Sequence, residues 1–231
     1  MPSADEIKWI NRSMNKYRET AAKPYRPGPE FFALADPVVE ARRTLLGHDR
    51  LYVLWQAARN VVAVDGAAAE VGVFRGGSAY FLASIFDSLI GPTPFHVFDT
   101  FTGHPSGGAH DPFNKPGSAK FRVSAEEVRA YLAAFPFVTV HVGNALETVP
   151  TLPALTYRLV HVDTDLYDPT LFSLKYFGTR LSPGGVIVVD DYASDHCPGV
   201  LQAVTEYLAH TEAFQVWDQR TQQIVLVKVA A

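Results

Sequence analysis

The chain contains a single cysteine, Cys197, among its 231 residues. An intrachain disulfide and a cysteine-rich metal cluster are therefore ruled out, and a reducing, cytoplasmic setting is expected. Basic charge is also scarce. Twenty Lys and Arg stand against 24 Asp and Glu, leaving a net charge of -4, which gives no electrostatic footprint for a nucleic-acid partner. Long apolar runs are missing too. Residues 1–20 mix charges of both signs where a secretory signal would have an apolar core, and every later run meets a charge, Gly or Pro before membrane-spanning length. No membrane partner is expected, and there is no internal repeat or low-complexity tract. What is present, 48% hydrophobic and 19% charged residues, is the balance of an ordinary globular chain long enough for one large core.

The order of elements is set by periodicity. The segment to Arg26 reads as a helix lying against something else, broken by Pro24, Pro27 and Pro29. From Phe31 to Asn60, apolar residues at helical spacing predict two or three amphipathic helices, a helical preface to a sheet. Strands are then expected at 68–73, 95–98, 138–142, 159–162 and 186–189, with two closing strands at 214–217 and 224–229. Helices are expected at 76–86, 123–135 and 199–210, and another between the strands at 159–162 and 186–189, capped by Asp168 and opened by Pro169. Such alternation argues for an α/β fold with a mostly parallel sheet covered on both faces and ligands at the carboxyl ends of its strands. The Gly- and Pro-rich loop at 100–119 is long for a compact domain and sits at that edge, where it reads as a lid.

Two apolar runs stop at paired acids. LVHVDTDLY ends in Asp163 and Asp165, and the run at 186–189 ends in Asp190 and Asp191. Carboxylates crowded at strand ends repel, so they must take up protons, stay wet or share a cation, and four such oxygen donors suit a hard divalent metal. Geometry alone leaves the roles of Asp163 and Asp165 interchangeable. His161, inside the strand, reads as a packed core histidine, and His196 as a surface residue or an alternative base.

A second constellation lies earlier. EVGVFRGGS, Glu70 to Ser78, joins a strand end to a helix start whose free N–H groups suit a carboxylate-bearing ligand, with Gly72, Gly76 and Gly77 letting backbone come close. Asp99, ending the next strand, is placed to accept hydrogen bonds from a ribose diol. Asn144, just past the third strand, is placed to meet an adenine rim. Tyr167 and Tyr192, each beside an aspartate pair, are candidates for the pocket wall.

Together, EVGVFRGGS, VFDTFTGHP, GNALETVP, HVDTDLYDPT, LSPGGVIVVDDY and QAVTEYL resemble the macrocin O-methyltransferase (TylF-type) family of S-adenosylmethionine-dependent sugar O-methyltransferases, over about Glu70 to Leu208. The resemblance implies a class I methyltransferase, Rossmann-like fold with a seven-stranded sheet whose last strand is antiparallel. It implies a methyltransferase domain at 61–231, following the helical extension that residue spacing gives for 1–60, and a homo-oligomer. By motif position, Asp163, Asp190 and Asp191 become magnesium ligands and Asp165 the general base. Glu70, Gly72 and Ser78 line the methionine end of S-adenosylmethionine, Asp99 binds its ribose and Asn144 stays with the adenine. His104 departs from the family pattern, where an apolar residue is common. The expected acceptor is a sugar hydroxyl of a glycosylated natural product or small oligosaccharide. The alternatives are a metal-dependent methyltransferase of catechol-like diols and a noncatalytic nucleoside-binding protein.

Overall fold

The computed structural model describes residues 27–104, 108–114 and 121–229. The helix expected before Arg26 lies outside them. Two helices come first, α1 (Pro29–Glu40) and α2 (His48–Asn60), followed by β1 (Ala67–Val71), α3 (Gly77–Leu89) and β2 (Phe95–Asp99). Next are α4 (Ala125–Leu132), β3 (Val138–Val142), a short α5 (Ala145–Thr148), β4 (Tyr157–Val162) and α6 (Tyr167–Gly178). The chain closes with β5 (Leu181–Val189), α7 (Pro198–Leu208), β6 (Phe214–Asp218) and β7 (Ile224–Lys228). Every strand expected from the sequence is present, β3 with both ends as expected and the others with an end moved by at most five residues; β5 gains the most, because Leu181 to Gly185 joins the run that ends at Val189.

The seven strands form one sheet in the order β3-β2-β1-β4-β5-β7-β6. Neighbours from β3 to β5 run parallel, and β7 is antiparallel to both β5 and β6. The fold is thus the class I methyltransferase sheet. Successive crossovers go one way from β1 and the other way from β4, so the two central strands flank a topological switch point, the place where an open α/β sheet leaves a crevice for ligands.

Period-two alternation splits the sheet between two apolar layers. Ala68, Phe95, Val97, Leu159, Val186 and Val188 face one core with α1 to α4, while Ala69, Val71, Phe98, Val160, Val162, Ile187 and Val189 face the other with α6 and α7. β1 is AAAEV, a weak strand by propensity, yet all five residues are buried. Burial on both faces outweighs intrinsic preference here. Of the two or three helices expected between Phe31 and Asn60 there are two, and they are more than a preface. Phe31 is fully buried and packs edge-on against Tyr52, Trp55 and Phe81, so α1 and α2 share the core of the sheet.

One helix start differs from expectation. α6 begins at Tyr167, two residues before Pro169, and its N-cap position is Leu166 with no side-chain cap of its own. Asp168 lies inside the first turn, and the carboxylate that receives the Tyr167 N–H belongs to Asp111, at 3.0 Å. A residue 56 positions away performs the capping because Leu166 has no oxygen to offer.

Gly72, at the end of β1, carries φ +93°, and a Cβ there would meet the Asp163 carbonyl oxygen at 1.7 Å. That glycine keeps β1 and β4 in register where the acidic residues begin. Gly72→Ala is expected to destabilise the protein by roughly 2 kcal/mol or more through strain and backbone displacement. A urea midpoint equal to that of the parent would show that the approach is not tight.

Candidate active site

The carboxyl ends of β1, β2, β3, β4 and β5 open into one cavity of about 760 Å³. Its walls carry Gly72, Ser78, Asp99, Asn144, Asp163, Asp165 and Asp191, so the fold brings most of the residues singled out from the sequence to one place. Arg43, Thr44, Leu45, Leu46 and Arg50, from the turn between α1 and α2 and the first turns of α2, close another side. No sequence motif pointed to that contribution.

The strand register distributes the acids. Val162 pairs with Val189, so the next residues, Asp163 and Asp190, leave adjacent strands side by side. Among the described residues, nitrogen, oxygen and sulfur atoms of the kind that can ligate a metal, all within 4.8 Å of one another, form two trios, His161–Asp163–Asp190 and Asp165–Asp191–Cys197. Asp191, expected beside Asp163 and Asp190, therefore falls with Asp165. Backbone conformation contributes to this: Asp165 and Asp191 both adopt left-handed conformations, with φ of 60° and 57°, which turn the chain sharply after β4 and β5.

Burial and charge crowding together set the protonation of the cluster. Burial, then repulsion from Asp190, Asp165 and Asp191, raises the Asp163 carboxyl well above its ordinary range, while Arg50 pulls the other way. Burial raises Asp190 against the opposing pull of Arg50 and His161. Asp191 is pushed up to about 8 by burial, by its hydrogen bond with Asp165 and by repulsion from Asp190. Asp165 goes the other way. Burial would raise it, but hydrogen bonds from His104 and Asp191 outweigh that and hold it below the usual carboxylate range. The Asp165–Asp191 pair thus shares a proton that resides on Asp191, leaving Asp165 ionised.

Two residues outside the expected set organise the cluster. Arg50 Nη1 lies 3.0 Å from Asp190 Oδ2 and 3.5 Å from Asp191 Oδ1. His104 Nε2 lies 2.9 Å from Asp165 Oδ2, and its ring packs on Phe121 at 4.7 Å between centroids. Cys197 Sγ reaches Asp165 Oδ1 at 3.5 Å, and burial, followed by Asp165 and Asp191, pushes that thiol up to about 12. His104 stood out in the sequence as a departure from pattern; nothing near Arg50 signalled its role, because its partners are 140 residues away. The described parts of the 100–119 loop are tied down here. Asn114 Nδ2 donates to the Asp165 carbonyl at 3.1 Å, and Asp111 holds the start of α6.

The other constellation is partly rearranged. Glu70 does not line the cavity: it is fully buried, with Oε1 2.7 Å from His161 Nδ1. Strand alternation turns it into the sheet, away from the methionine end assigned to it. Asp99 does line the cavity, but its carboxylate also binds the protein's own backbone, taking Val73 N–H and Phe74 N–H at 2.8 Å each and Phe101 N–H at 2.7 Å. Asn144 Oδ1 accepts from Leu146 N–H at 3.1 Å and so caps α5 while remaining on the wall. The glycines serve close protein contacts: a Cβ on Gly77 would sit 2.6 Å from the Arg43 carbonyl carbon, as one on Gly72 would strike Asp163. Arg75 is exposed and bonds the Arg42 carbonyl. Tyr167 is not on the wall, and its hydroxyl donates to Glu206; Tyr192 packs against the second core. His196 is an exposed wall residue, edge-on to Phe113.

Residues 7–218 match the family model described as Macrocin-O-methyltransferase (TylF). The chain is 32% identical over 168 residues to the 8-demethyl-8-(2,3-dimethoxy-alpha-L-rhamnosyl)-tetracenomycin-C 4'-O-methyltransferase of Streptomyces olivaceus. That match covers 67% of this chain and 64% of the relative, so just under two thirds of the relative's length is spanned. Demethyldecarbamoylnovobiocin O-methyltransferase of Streptomyces niveus is 31% identical over 179 residues, 72% of this chain and 68% of its own. A solved structure of the O-methyltransferase NovP superposes with a TM-score of 0.72 at 29% identity, covering 81% of this chain and 83% of that one. Among the described residues no helix is long and apolar enough to cross a membrane.

The raised carboxyls make stability depend on pH with a definite sign. Folded Asp191 holds its proton up to about 8, whereas the unfolded chain releases it in the ordinary carboxylate range. The folded state's advantage is complete below that range and is lost as pH rises towards 8; Asp163 and Asp190 act in the same direction. Metal-free protein is expected to melt at progressively lower temperature between about pH 5 and pH 8, with Asp191→Asn flattening the decline. A melting temperature that rises across this interval would contradict the assignment.

Proposed function

The chain belongs to the macrocin-O-methyltransferase (TylF) family, and from that membership we propose that it transfers a methyl group from S-adenosylmethionine to a sugar hydroxyl of a glycosylated natural product or small oligosaccharide, using a divalent ion such as magnesium. The observation that carries this reading is the cavity at the strand ends: Gly72, Ser78, Asp99 and Asn144 stand on the same walls as Asp163, Asp165 and Asp191, with Asp190 buried directly behind them.

Both absent groups suit the residues present. A carboxylate offers about four lone-pair positions, so the three amides on Asp99 leave it able to accept one more donor, as a ribose hydroxyl requires. Ser78 and the start of α3 face the same space. Burial pushes Asp163, Asp190 and Asp191 towards protonation, with repulsion between the acids adding to it at Asp163 and Asp191, and a divalent ion would relieve that repulsion. Asp163 and Asp190 would hold the ion, with Asp191 at the margin of the site.

Bound S-adenosylmethionine supplies a methyl on a cationic sulfur, which is already a good electrophile. A divalent ion held by Asp163 and Asp190 would supply positive charge that lowers the cost of removing the acceptor's proton. The protein's own residues do the rest. Asp165, held ionised by the hydrogen bond that His104 donates to Oδ2, accepts the acceptor's proton as its oxygen attacks. The left-handed turn at Asp165 aims that carboxylate into the cavity, and the Asn114 bond to its carbonyl holds the turn. Leu45, Leu46, Phe113 and Phe121 supply apolar walls beside the charges.

Incubation with S-adenosylmethionine and a panel of glycosides, followed by mass spectrometry, should yield singly methylated product that a chelator abolishes. Asp165→Asn should lower the rate by about 10²–10⁴-fold while calorimetric binding of S-adenosylhomocysteine stays unchanged. Turnover of catechols but not glycosides would favour the diol-methylating alternative. Tight nucleoside binding with no transfer to either would remove the enzymatic reading.

A further inference from the structure

The acidic pair of β4 and β5 has a buried histidine beside it that the proposed reaction does not use. Glu70 and His161 are register partners on β1 and β4, and both are fully buried. His161 Nδ1 lies 2.7 Å from Glu70 Oε1. With Glu70 as the acceptor, Nδ1 carries a ring proton, and in the neutral tautomer Nε2 is the nitrogen with a free lone pair. That Nε2 is buried and has no hydrogen-bond partner, a costly state for an acceptor removed from water. Along β4, His161 and Asp163 project from the same face, and the register with β5 sets Asp190 beside Asp163. A ring nitrogen of His161 and one oxygen from each aspartate accordingly lie within 4.8 Å of one another.

We infer that His161 Nε2 is a direct ligand of the divalent ion held by Asp163 and Asp190, that Glu70 orients the ring from behind, and that the site prefers a first-row transition ion to magnesium. The inference rests on the proposal that an ion binds between β4 and β5, and it narrows which ion. A ligating histidine ordinarily donates its other ring N–H to a carboxylate or carbonyl, which fixes the tautomer and strengthens the donor nitrogen. The Glu70–His161 pair supplies that arrangement in advance. Magnesium is served by oxygen donors and retained water, whereas an imidazole nitrogen adds affinity for cobalt(II), iron(II) or zinc. The same geometry accounts for an ionisable pair inside an otherwise apolar layer of alanine, valine and leucine, and for Glu70 pointing away from the cavity.

The test uses tag-free, full-length protein. Manganese(II)-loaded protein should show electron spin echo modulation from a directly bonded nitrogen, and Asp163→Asn should abolish the bound-ion signal, placing the ion in this site. By calorimetry cobalt(II) should bind at least about tenfold tighter than magnesium, and His161→Gln should collapse that ratio. Glu70→Gln should weaken cobalt(II) binding by about 10–100-fold with the nitrogen coupling retained. Bound manganese without nitrogen coupling would overturn the role of His161 while leaving the metal reading intact. Absence of any stoichiometric divalent binding would overturn both. Because the nitrogen coupling is read on the unaltered protein, misfolding of His161→Gln cannot obscure the result.

Discussion

Mutual repulsion among Asp163, Asp165, Asp190 and Asp191 is the constraint around which the rest of this site is arranged. Two buried parallel strands end together, and each delivers a pair of carboxylates into the same small volume. Four ionised groups so close would be strongly unfavourable, and the structure answers in three ways. Arg50 brings one cation from α2, His104 bonds Asp165, and the carboxyls pushed upwards keep protons.

Delivering those side chains requires unusual backbone. Among the described non-glycine residues with positive φ, Phe74, Phe101, Asp165 and Asp191 come after β1, β2, β4 and β5 within three residues. Left-handed conformations cost energy for such residues and persist only where neighbours hold them. Here the holders can be named. Asp99 takes the amides of Val73, Phe74 and Phe101, and so secures two of the four turns with one carboxylate. Asn114 secures the third through the Asp165 carbonyl, and Asp190 Oδ1 secures the fourth by accepting from Asp191 N–H at 3.0 Å. The strained ring of turns at the strand ends and the cavity are the same feature.

The helices before the sheet connect the site to the core. Phe31, Leu51 and Leu54 are fully buried in the layer that also holds Leu159 and Val188. That packing places the turn between α1 and α2 over the cavity and puts Arg50 within reach of Asp190 and Asp191. A side chain with an electrostatic task thus owes its position to aromatic contacts on the opposite side of its helix, and loosening that core would loosen the charge balance with it.

Much of this was legible in the residues. The strand order, the aspartate pairs and the acid ending β2 are local signals: period-two apolar runs and their terminators survive without knowledge of neighbours, because a buried strand needs such a run wherever it lies. Ligand edge and sheet class came from the alternation of strands and helices. The division of the aspartates did not. Asp163 pairs with Asp190 and Asp165 with Asp191 because of the β4–β5 register and two left-handed residues, and register is a property of two strands together. The partners of Glu70, Arg50, His104 and Asp111 are 91, 140, 61 and 56 residues away, beyond any local pattern. Residue types that carry chemistry are written in the chain, but which lone pair meets which proton depends on distances that exist only once the sheet has formed.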